Sequence, residues 1–266
     1  MSLDADALSN EDLDVSVSDD EPVIRAVIDR ADQRNALNRP VIEGLIDVLD
    51  AADAGSTRVV VIRGAAGTFS SGGDMAEMPI GGSAQDYREG FSGLTALIRR
   101  LQATSALTVA AVEGYCLAGG LGLAAACEFV VADADAEFGT PEVTVGLFPA
   151  QAMAPIMRTV HEKRGLKLLF TGDRVDAVEA HEMGLVTELV EDEFEAALDD
   201  FVESLAANSP VMIEMGKEAY YAQRDMSFER ALSYLKEVIA LLAMSEDTEE
   251  GIEAFLMDRD PEWRGR

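Results

Sequence analysis

Two valine-rich runs, at 58–63 and 107–112, have almost no polar side chain on either face of an extended chain. Runs of this kind are typical of parallel strands that are covered on both faces. A third apolar run at 129–132, and helix-like segments between the three, indicate alternating strands and helices. Beyond about residue 150 nearly every segment is helix-like. The sequence therefore predicts an α/β core followed by a helical C-terminal third.

The expected elements can be given as residue ranges. Apolar, β-branched content predicts strands at 23–28, 58–63, 107–112, 129–132 and 185–190. Helical periodicity predicts helices at 40–54, 84–103, 119–127, 153–160, 165–170, 177–183, 193–208, 211–223 and 228–244. The segment 4–21, by contrast, is acidic, rich in serine and poor in apolar residues. We expect residues 1–21 to form an acidic flexible tail.

The charge balance excludes two classes of partner. The 266 residues include 50 Asp and Glu against 21 Lys and Arg, which gives a formal charge of −29. Nucleic acids and anionic membrane surfaces are bound by clusters of Lys and Arg, so neither is an expected partner. Very few of the basic residues are lysine, which favours a halophilic protein in a high-salt cytoplasm, where self-repulsion is screened. The alternative is an ordinary acidic protein.

The cysteines and histidines indicate neither a disulfide nor a metal site. Cys116 and Cys127 lie among apolar or small residues and are expected to be core thiols in a reducing compartment. His161 and His181 lack metal-ligand spacing, so no metal is expected. No apolar run reaches the roughly 18 residues of a membrane span, and the N-terminus lacks a basic region followed by an apolar stretch. We therefore expect a cytoplasmic protein.

Two glycine-rich segments directly follow the valine-rich runs. The loop 64–78 contains Gly72 and Gly73, where positive φ angles can bring backbone N–H groups close to a ligand. After the second run, Gly119 and Gly120 begin a helix whose first N–H groups have no helical partner. An ordinary glycine turn and close helix packing are the respective alternatives. The spacing of the second set of glycines does not fit a dinucleotide-binding fingerprint.

A single carboxylate, Glu142, lies between Pro141 and an apolar run. If this side chain is partly removed from water, its pKa rises and it becomes suited to moving protons. A surface glutamate is the alternative, because acidic residues are so frequent in this chain. Neither Glu142 nor the glycine segments identify a function when each is taken alone.

In this order along the chain, the two glycine segments and Glu142 resemble the enoyl-CoA hydratase/isomerase family, also called the crotonase superfamily. The resemblance covers residues 22–264 and extends to the segments 34–38, 169–172, 180–186 and 250–263. No single segment decides the matter, whereas the ordered set is specific.

The resemblance implies a fold and an assembly. Family members have a core built as a spiral of ββα turns, here 22–200, and a helical C-terminal trimerisation region, here 201–266. They assemble as homotrimers or as dimers of trimers. The resemblance also implies an acyl-CoA substrate, with coenzyme A bound as part of that substrate and no separate cofactor.

The family's shared chemistry is the formation of an enolate oxyanion that two backbone N–H groups hold. The matching positions in this sequence are Gly73 and Gly119. Preorganised donors of this kind act where charge develops in the transition state. Glu142 matches a family acid/base residue, which would remove or return a proton at the carbon next to the thioester or at the one beyond. The resemblance thus implies catalytic roles for these three residues.

Substrate-binding residues also follow from the resemblance. The predicted contacts are Gln33, Arg34, Ala36, Ser71, Asp74, Met75, Gly120, Gly122 and Phe148. The coenzyme A nucleotide should lie against the loop 33–36. Asp32, next to this loop, is a departure from the family pattern, because many relatives carry a basic residue at or near this position. The segment 71–75 should lie near pantetheine and adenine. Arg34 is the candidate phosphate contact, and Phe148 is a candidate for lining an apolar acyl pocket.

Gly122 is the main departure from the family pattern. Hydratases of the family carry a second glutamate there, so that one carboxylate orients the water while the other delivers the proton. A single carboxylate favours isomerisation of a 3-enoyl thioester to a 2-enoyl thioester, or an atypical hydration. Glu113 and Glu128 are candidates for a substitute acid, although we interpret Glu128 as structural. The alternative function is a CoA-ester-binding protein of the same fold without hydratase activity.

Overall fold

The computed structural model describes residues 3–18 and 22–266. Within them the strands are β1 Leu13–Val17, β2 Val23–Ile28, β3 Val59–Gly64, β4 Leu107–Val112, β5 Tyr115–Leu117, β6 Phe129–Asp133, β7 Glu137–Gly139, β8 Arg174–Asp176 and β9 Glu188–Val190. The α-helices are α1 Ala5–Leu8, α2 Arg39–Ala54, α3 Ala84–Gly90, α4 Ser92–Ala103, α5 Gly119–Ala124, α6 Ala150–Thr159, α7 Glu162–Thr171, α8 Ala177–Glu182, α9 Phe194–Ala206, α10 Pro210–Gln223, α11 Phe228–Leu242 and α12 Glu246–Met257. Short 3₁₀ helices lie at Ala31–Gln33, Met75–Glu77 and Pro141–Val145.

Six strands form the main sheet in the order β1-β2-β3-β4-β6-β9. All neighbouring pairs in it are parallel except β1 and β2. One face packs against α2 and α4 through residues such as Leu45 and Leu97. The opposite face packs against α9 through Leu198 and Val202. The structure therefore confirms that the two valine-rich runs are strands buried on both faces.

A second, smaller sheet holds the loops of the candidate site. Strand β5 pairs in parallel with β7, and β7 pairs antiparallel with β8. The sequence does not predict these strands, because three residues are too few to show an alternation. Since β5 and β7 are parallel, the segments that follow Leu117 and Gly139 leave from the same edge of this sheet.

The N-terminal segment differs from the flexible tail expected over residues 1–21. Strand β1 pairs with β2 along its whole length, and Leu13 and Val15 are buried while Asp14 and Ser16 face solvent. The expectation is wrong for this strand, because the acidic composition hides a period-two alternation of apolar and polar residues. Part of the predicted tail, residues 1, 2 and 19–21, lies outside the described residues.

The helical C-terminal part begins later than residue 201. Helix α9 spans the predicted boundary, and its buried side chains belong to the core of the main sheet. The single helix predicted at 84–103 is divided at Phe91 between α3 and α4, after Gly90, which is a poor helix former. Helix α12, whose first turn is acidic, has no counterpart among the predicted helices.

Glu128 ties α10 to the sheet. Its carboxylate accepts hydrogen bonds from Lys217 Nζ at 2.9 Å, from Tyr221 Oη at 2.7 Å and from the Thr108 hydroxyl at 2.9 Å. Lys217 Nζ also donates to Ala106 O at 2.7 Å. Burial lowers the pKa of Lys217, although the Glu128 carboxylate opposes this shift. These contacts confirm the structural interpretation of Glu128.

The two cysteines are free thiols buried in the core. Burial raises the pKa of both, and that of Cys127 reaches about 12. Residues 3–18 and 22–266 contain no group of three His, Cys, Asp or Glu side chains placed to hold a metal ion. In the same ranges, no helix combines the length and the apolar character that crossing a membrane requires.

Candidate active site

The two glycine segments meet beside β5. Ser70 N donates to Tyr115 O at 2.9 Å, and Leu117 N donates to Ser70 O at 2.8 Å, so the first loop runs along this strand. It delivers Gly72 to the residues that begin α5. A Cβ added to Gly72, whose φ is +100°, would lie 2.4 Å from Ala118 Cβ. Only glycine permits this approach.

The N–H groups of Gly73 and Gly119 are close together and free. A Cβ on Gly119 would lie 3.4 Å from Gly73 N, and a Cβ on Gly73 would have nothing within 4 Å. Among residues 3–18 and 22–266, neither N–H takes part in an intramolecular hydrogen bond. Gly119 is the first residue of α5, where N–H groups lack helical acceptors. Two adjacent free donors beside an open space can hold an oxygen that becomes negatively charged.

Ala118 turns the chain from β5 into α5 in a conformation that is rare for a residue with a side chain. Its φ is 54° and its ψ is −126°, and its N–H donates to Gly139 O at 2.8 Å. Such a conformation costs about 1–3 kcal/mol and persists only where the surroundings impose it. Here it places the N–H of Gly119 beside Gly73.

Glu142 lies in the 3₁₀ helix that follows β7, on the same edge of the small sheet as Gly119. The chain just before Glu142 is anchored, because Thr140 Oγ1 donates a hydrogen bond to Leu168 O at 2.7 Å. One carboxylate oxygen of Glu142, Oε2, is buried and has no hydrogen-bond partner within the described chain. Burial raises the pKa of Glu142, as its proposed role in proton transfer requires.

The predicted nucleotide-binding loop lies against the first glycine segment. Ser71 N donates to Arg34 O at 3.0 Å, and the Ser71 hydroxyl donates to Gln33 O at 3.4 Å. Gln33 and Arg34 are exposed, whereas Ala36 is buried. In the part of the chain that the structure describes, no carboxylate lies within ion-pair distance of Arg34. Its guanidinium therefore remains a candidate contact for a phosphate.

Asn35 holds these two loops together. Its side chain donates to Ala65 O at 2.9 Å and to Thr68 O, and it accepts from Arg30 N at 2.9 Å. The buried Ser70 hydroxyl donates to Asn35 O at 2.7 Å. Asn35 therefore has a structural role within the segment 34–38, which explains why asparagine occupies this position.

The carboxylate of Asp74, a predicted substrate contact, already has partners within the chain. It accepts from Arg30 at 2.9 Å and from Ala76 N at 2.9 Å. The Ala76 N–H and the Arg30 guanidinium lower the pKa of Asp74 against the effect of burial. The neighbouring Met75 side chain is 57% exposed and remains available to a ligand.

Gly120 and Gly122, which are both predicted substrate contacts, pack closely against Ser70 and Ala152. A Cβ on Gly120 would lie 2.7 Å from Ser70 Cβ. A Cβ on Gly122 would lie 2.8 Å from Ala152 Cβ and 2.9 Å from Ala152 Cα. Both glycines are buried, and the second sets the close approach of α5 and α6. A glutamate at position 122 could not enter without moving α6.

The two candidate substitute acids are both engaged elsewhere. Glu113 accepts from Arg63 at 2.7 Å, and Glu128 is bound by Lys217 and Tyr221 as described above. Neither carboxylate is therefore free to act beside Glu142.

The apolar side chains near Glu142 divide between the surface and the core. Phe148 is 39% exposed and packs against Phe170, with ring centroids 5.0 Å apart. Met153 and Met157, by contrast, pack on the core. Phe148 therefore remains a candidate acyl contact.

Sequence reasoning does not identify Arg30, which follows β2 at the carboxyl end of the main sheet. Its side chain is 11% exposed and reaches both the loop 33–36 and Asp74. A charged residue just beyond a buried parallel strand is a general signal for a site at that sheet edge, and it would have drawn attention to this arginine.

A cavity lies elsewhere in the molecule. A cavity of about 560 Å³ separates α10 from the carboxyl end of α5 and is lined by Lys217, Tyr220 and Tyr221 among others. Gly73, Gly119 and Glu142 do not line it. We place the candidate site at the two free N–H groups, because chemistry depends on donors and a base rather than on volume.

Comparison with known proteins agrees with the motifs. The sequence model of the enoyl-CoA hydratase/isomerase family matches residues 19–266. The chain is 34% identical over 257 residues to 2,3-dehydroadipyl-CoA hydratase of Escherichia coli (strain K12), an alignment that covers 94% of this chain and 98% of that protein.

Solved structures show the same architecture. An enoyl-CoA hydratase of Mycobacterium smegmatis superposes with a TM-score of 0.91 at 28% identity, covering 96% of this chain and 99% of that one. The structure of human enoyl-coenzyme A hydratase domain-containing protein 3 superposes with a TM-score of 0.90 at 27% identity, covering 95% of this chain and 100% of that one. These likenesses confirm the predicted crotonase-like α/β fold with its helical C-terminal region.

Proposed function

The chain belongs to the enoyl-CoA hydratase/isomerase family of enzymes, and from this premise we propose that it acts on an acyl-CoA thioester through an enolate. The thioester oxygen accepts hydrogen bonds from Gly73 N–H and Gly119 N–H, and Glu142 moves the proton. The observation that carries the proposal is the pairing of two adjacent free N–H groups with a buried, unpartnered carboxylate oxygen on one sheet edge.

The proposed reaction is isomerisation of a 3-enoyl thioester to a 2-enoyl thioester. The Glu142 carboxylate takes the proton from C2, and the electron pair moves onto the thioester oxygen to give a dienolate. The two N–H groups stabilise that oxyanion, and one such donor is worth about 3 kcal/mol of the barrier. Glu142 then returns the proton to C4, the double bond moves to C2–C3, and the carbonyl re-forms.

The contact between Gly122 and Ala152 supports isomerisation in particular. Isomerisation needs one group that alternates between base and acid, and Glu142 with its raised pKa meets that need. A second carboxylate on α5 is excluded by the packing of α6, and Glu113 and Glu128 are held by basic residues. The described site therefore offers a single free carboxylate.

Hydration of a 2-enoyl thioester is the second candidate, and the names of the relatives favour it. The Escherichia coli relative is named a hydratase of 2,3-dehydroadipyl-CoA, and the Mycobacterium smegmatis structure is of an enoyl-CoA hydratase. With only Glu142 available, one carboxylate would both orient the water and deliver the proton. We expect hydration by this route to be slower than isomerisation.

The experiment compares the two substrates. The purified chain in molar KCl is given 3-enoyl-CoA and 2-enoyl-CoA, and product formation is followed by chromatography. We expect turnover of the 3-enoyl thioester to fall at least a hundred-fold in Glu142→Gln and to change less than two-fold in the matched control Glu113→Gln. Turnover that survives Glu142→Gln would remove Glu142 as the base. Calorimetric binding of acyl-CoA without turnover would favour the CoA-ester-binding alternative.

We also infer a homotrimer or a dimer of trimers in a high-salt cytoplasm. Large apolar side chains are exposed on the two last helices, including Phe228, Ile239 and Leu241 of α11 and Phe255 and Leu256 of α12. So many large exposed apolar side chains on two helices support an interface between subunits. Light scattering in molar KCl measures the mass directly, and a monomer would contradict the inference.

A further inference from the structure

The Arg30 side chain joins three separate segments of the chain. It forms ion pairs with Asp12, just before β1, at 3.2 Å and with Asp74 at 2.9 Å. Its Nη1 donates to Ala36 O at 2.6 Å. The arginine and both aspartates are less than a fifth exposed, so solvent screens these contacts weakly. We call these four residues the Arg30 clamp.

The direction of the Gly73 N–H depends on the peptide plane that it shares with Gly72. Gly72 O accepts from Leu37 N at 2.7 Å, which fixes that carbonyl toward the segment 34–38. In a planar trans peptide the N–H points opposite to the carbonyl. The Gly73 N–H is therefore directed away from Leu37, and its nitrogen lies 3.4 Å from the position of a Cβ added to Gly119.

The Arg30 clamp holds both sides of this arrangement. On one side the Arg30 guanidinium donates to Ala36 O, next to Leu37. On the other side it donates to the carboxylate of Asp74, next to Gly73. Asp74 N in turn donates to Leu37 O at 3.1 Å. A loss of the Arg30–Asp74 pair would therefore loosen the hydrogen bonds on both sides of Gly73, including the bond to Gly72 O that orients the Gly72–Gly73 peptide.

We propose that Arg30 and Asp74 are positioning residues that fix the Gly73 N–H of the oxyanion site, and that Asp12 of the N-terminal strand region supports them. The inference rests on the proposed function, because it assigns this N–H to the thioester oxygen. The clamp touches no reacting atom, and it acts only through the orientation of the Gly72–Gly73 peptide.

The chain contains a matched control for this test. Arg100 also binds two aspartates, Asp50 and Asp53, together with a backbone carbonyl, that of Leu49. Its side chain is 20% exposed, and it joins α2 to α4 without contacting the glycine loops. Asp53→Asn therefore disturbs a similar ion-pair cluster that has no link to Gly73.

The decisive comparison is Asp74→Asn against Asp53→Asn in molar KCl. Complete loss of one oxyanion donor lowers kcat by roughly 10²–10³-fold, so a displaced donor should lower it by about ten-fold or more. We expect Asp74→Asn to do so with KM changed less than about three-fold, because the coenzyme A loop stays in place. Asp53→Asn should leave kcat within about two-fold of the parent, whatever it costs in melting temperature.

The carbonyl stretch of a bound, saturated acyl-CoA labelled with ¹³C at the thioester carbon gives a second readout. The two N–H groups should lower this infrared frequency in the parent and in Asp53→Asn, and Asp74→Asn should move it back toward the value in water. A purely structural role of Asp74 would not move the frequency in a folded, ligand-bound variant. Should Asp74→Asn fail to fold, Asp12→Asn carries the same test with a smaller expected change.

The outcomes separate this inference from the proposed function. A parent that turns over a thioester, with Asp74→Asn unchanged in kcat and frequency, overturns the positioning role alone. Equal losses in Asp74→Asn and Asp53→Asn also overturn it. A parent that binds the labelled thioester and lowers its frequency, yet turns over neither substrate, overturns the proposed function and still allows the clamp to be tested.

Discussion

The contact between α5 and α6 can be measured by substituting Gly122 with alanine. The added Cβ would lie 2.8 Å from Ala152 Cβ and 2.9 Å from Ala152 Cα, about 0.6 Å closer than ordinary contact. Both residues are buried, so neither side can yield toward solvent. The two helices must therefore separate by several tenths of an ångström, or the backbone of α6 must shift.

The expected loss of stability follows from two opposing effects. Overpacking of this kind costs about 1–3 kcal/mol. Replacing glycine by alanine inside a helix restores up to about 1 kcal/mol. We expect Gly122→Ala to lower the free energy of unfolding by about 1–2 kcal/mol, and to lower kcat, because α6 follows directly after the segment that carries Glu142.

Urea unfolding in molar KCl, followed by circular dichroism, measures this change. Gly216→Ala in α10 is the matched control, since its Cβ would meet nothing closer than Met212 Sδ at 4.0 Å, and it should stabilise the chain by up to about 1 kcal/mol. Adding Ala152→Gly to Gly122→Ala should restore only part of the loss, because the Cα of residue 152 remains. Equal stability of Gly122→Ala and Gly216→Ala would refute the close contact, and with it the exclusion of a second carboxylate.

Three further outcomes are expected. Leu13→Ala should lower the free energy of unfolding by about 2–5 kcal/mol in denaturant titration, because Leu13 is fully buried in β1, whereas a flexible tail would show no change. Glu128→Gln should cost about 3–5 kcal/mol, because it leaves Lys217 charged and buried without its carboxylate, and a cost below about 1 kcal/mol would contradict the buried pair. Burial raises the folded pKa of Glu142 above the ordinary 4.5. The contribution of Glu142 to the free energy of unfolding is therefore fully present below the unfolded pKa of 4.5, and it is lost as pH rises through the folded pKa. Glu142→Gln should thus be more stable than the parent at neutral pH and equal to it near pH 4, while the parent's kcat falls as pH drops through the folded pKa; a stability difference independent of pH would contradict the burial.

Strands made of consecutive apolar residues are easy to predict from this sequence. Strands that alternate apolar and polar residues are harder to recognise, because acidic residues are frequent throughout the chain. The segment 58–63 stands out because both faces of β3 need apolar side chains. In β1 only every second residue is buried, and the exposed positions carry the acidic and polar residues typical of the whole surface. Composition then points to a tail, although Leu13 and Val15 show the correct period.

Glycine positions can be recognised in the sequence, but their roles depend on distances that sequence does not contain. Gly73 borders open space, while Gly120 and Gly122 press against Ser70 and Ala152. All of them lie in glycine-rich segments, so the predicted catalytic and substrate-binding residues include both kinds. Arg30 poses the same difficulty, because its partners come from positions 12, 36 and 74.

A charge of −29 and an anionic class of substrate are compatible because the proposed donors belong to the main chain. Coenzyme A carries phosphates, which the acidic surface repels at low salt, whereas the thioester oxygen is neutral until charge develops on it. At molar salt the Debye length falls to about 3 Å, so the long-range repulsion is screened while direct hydrogen bonds from Gly73 and Gly119 persist. The surface could therefore become acidic without loss of the oxyanion site, because its donors are encoded by glycine spacing and peptide geometry rather than by basic side chains.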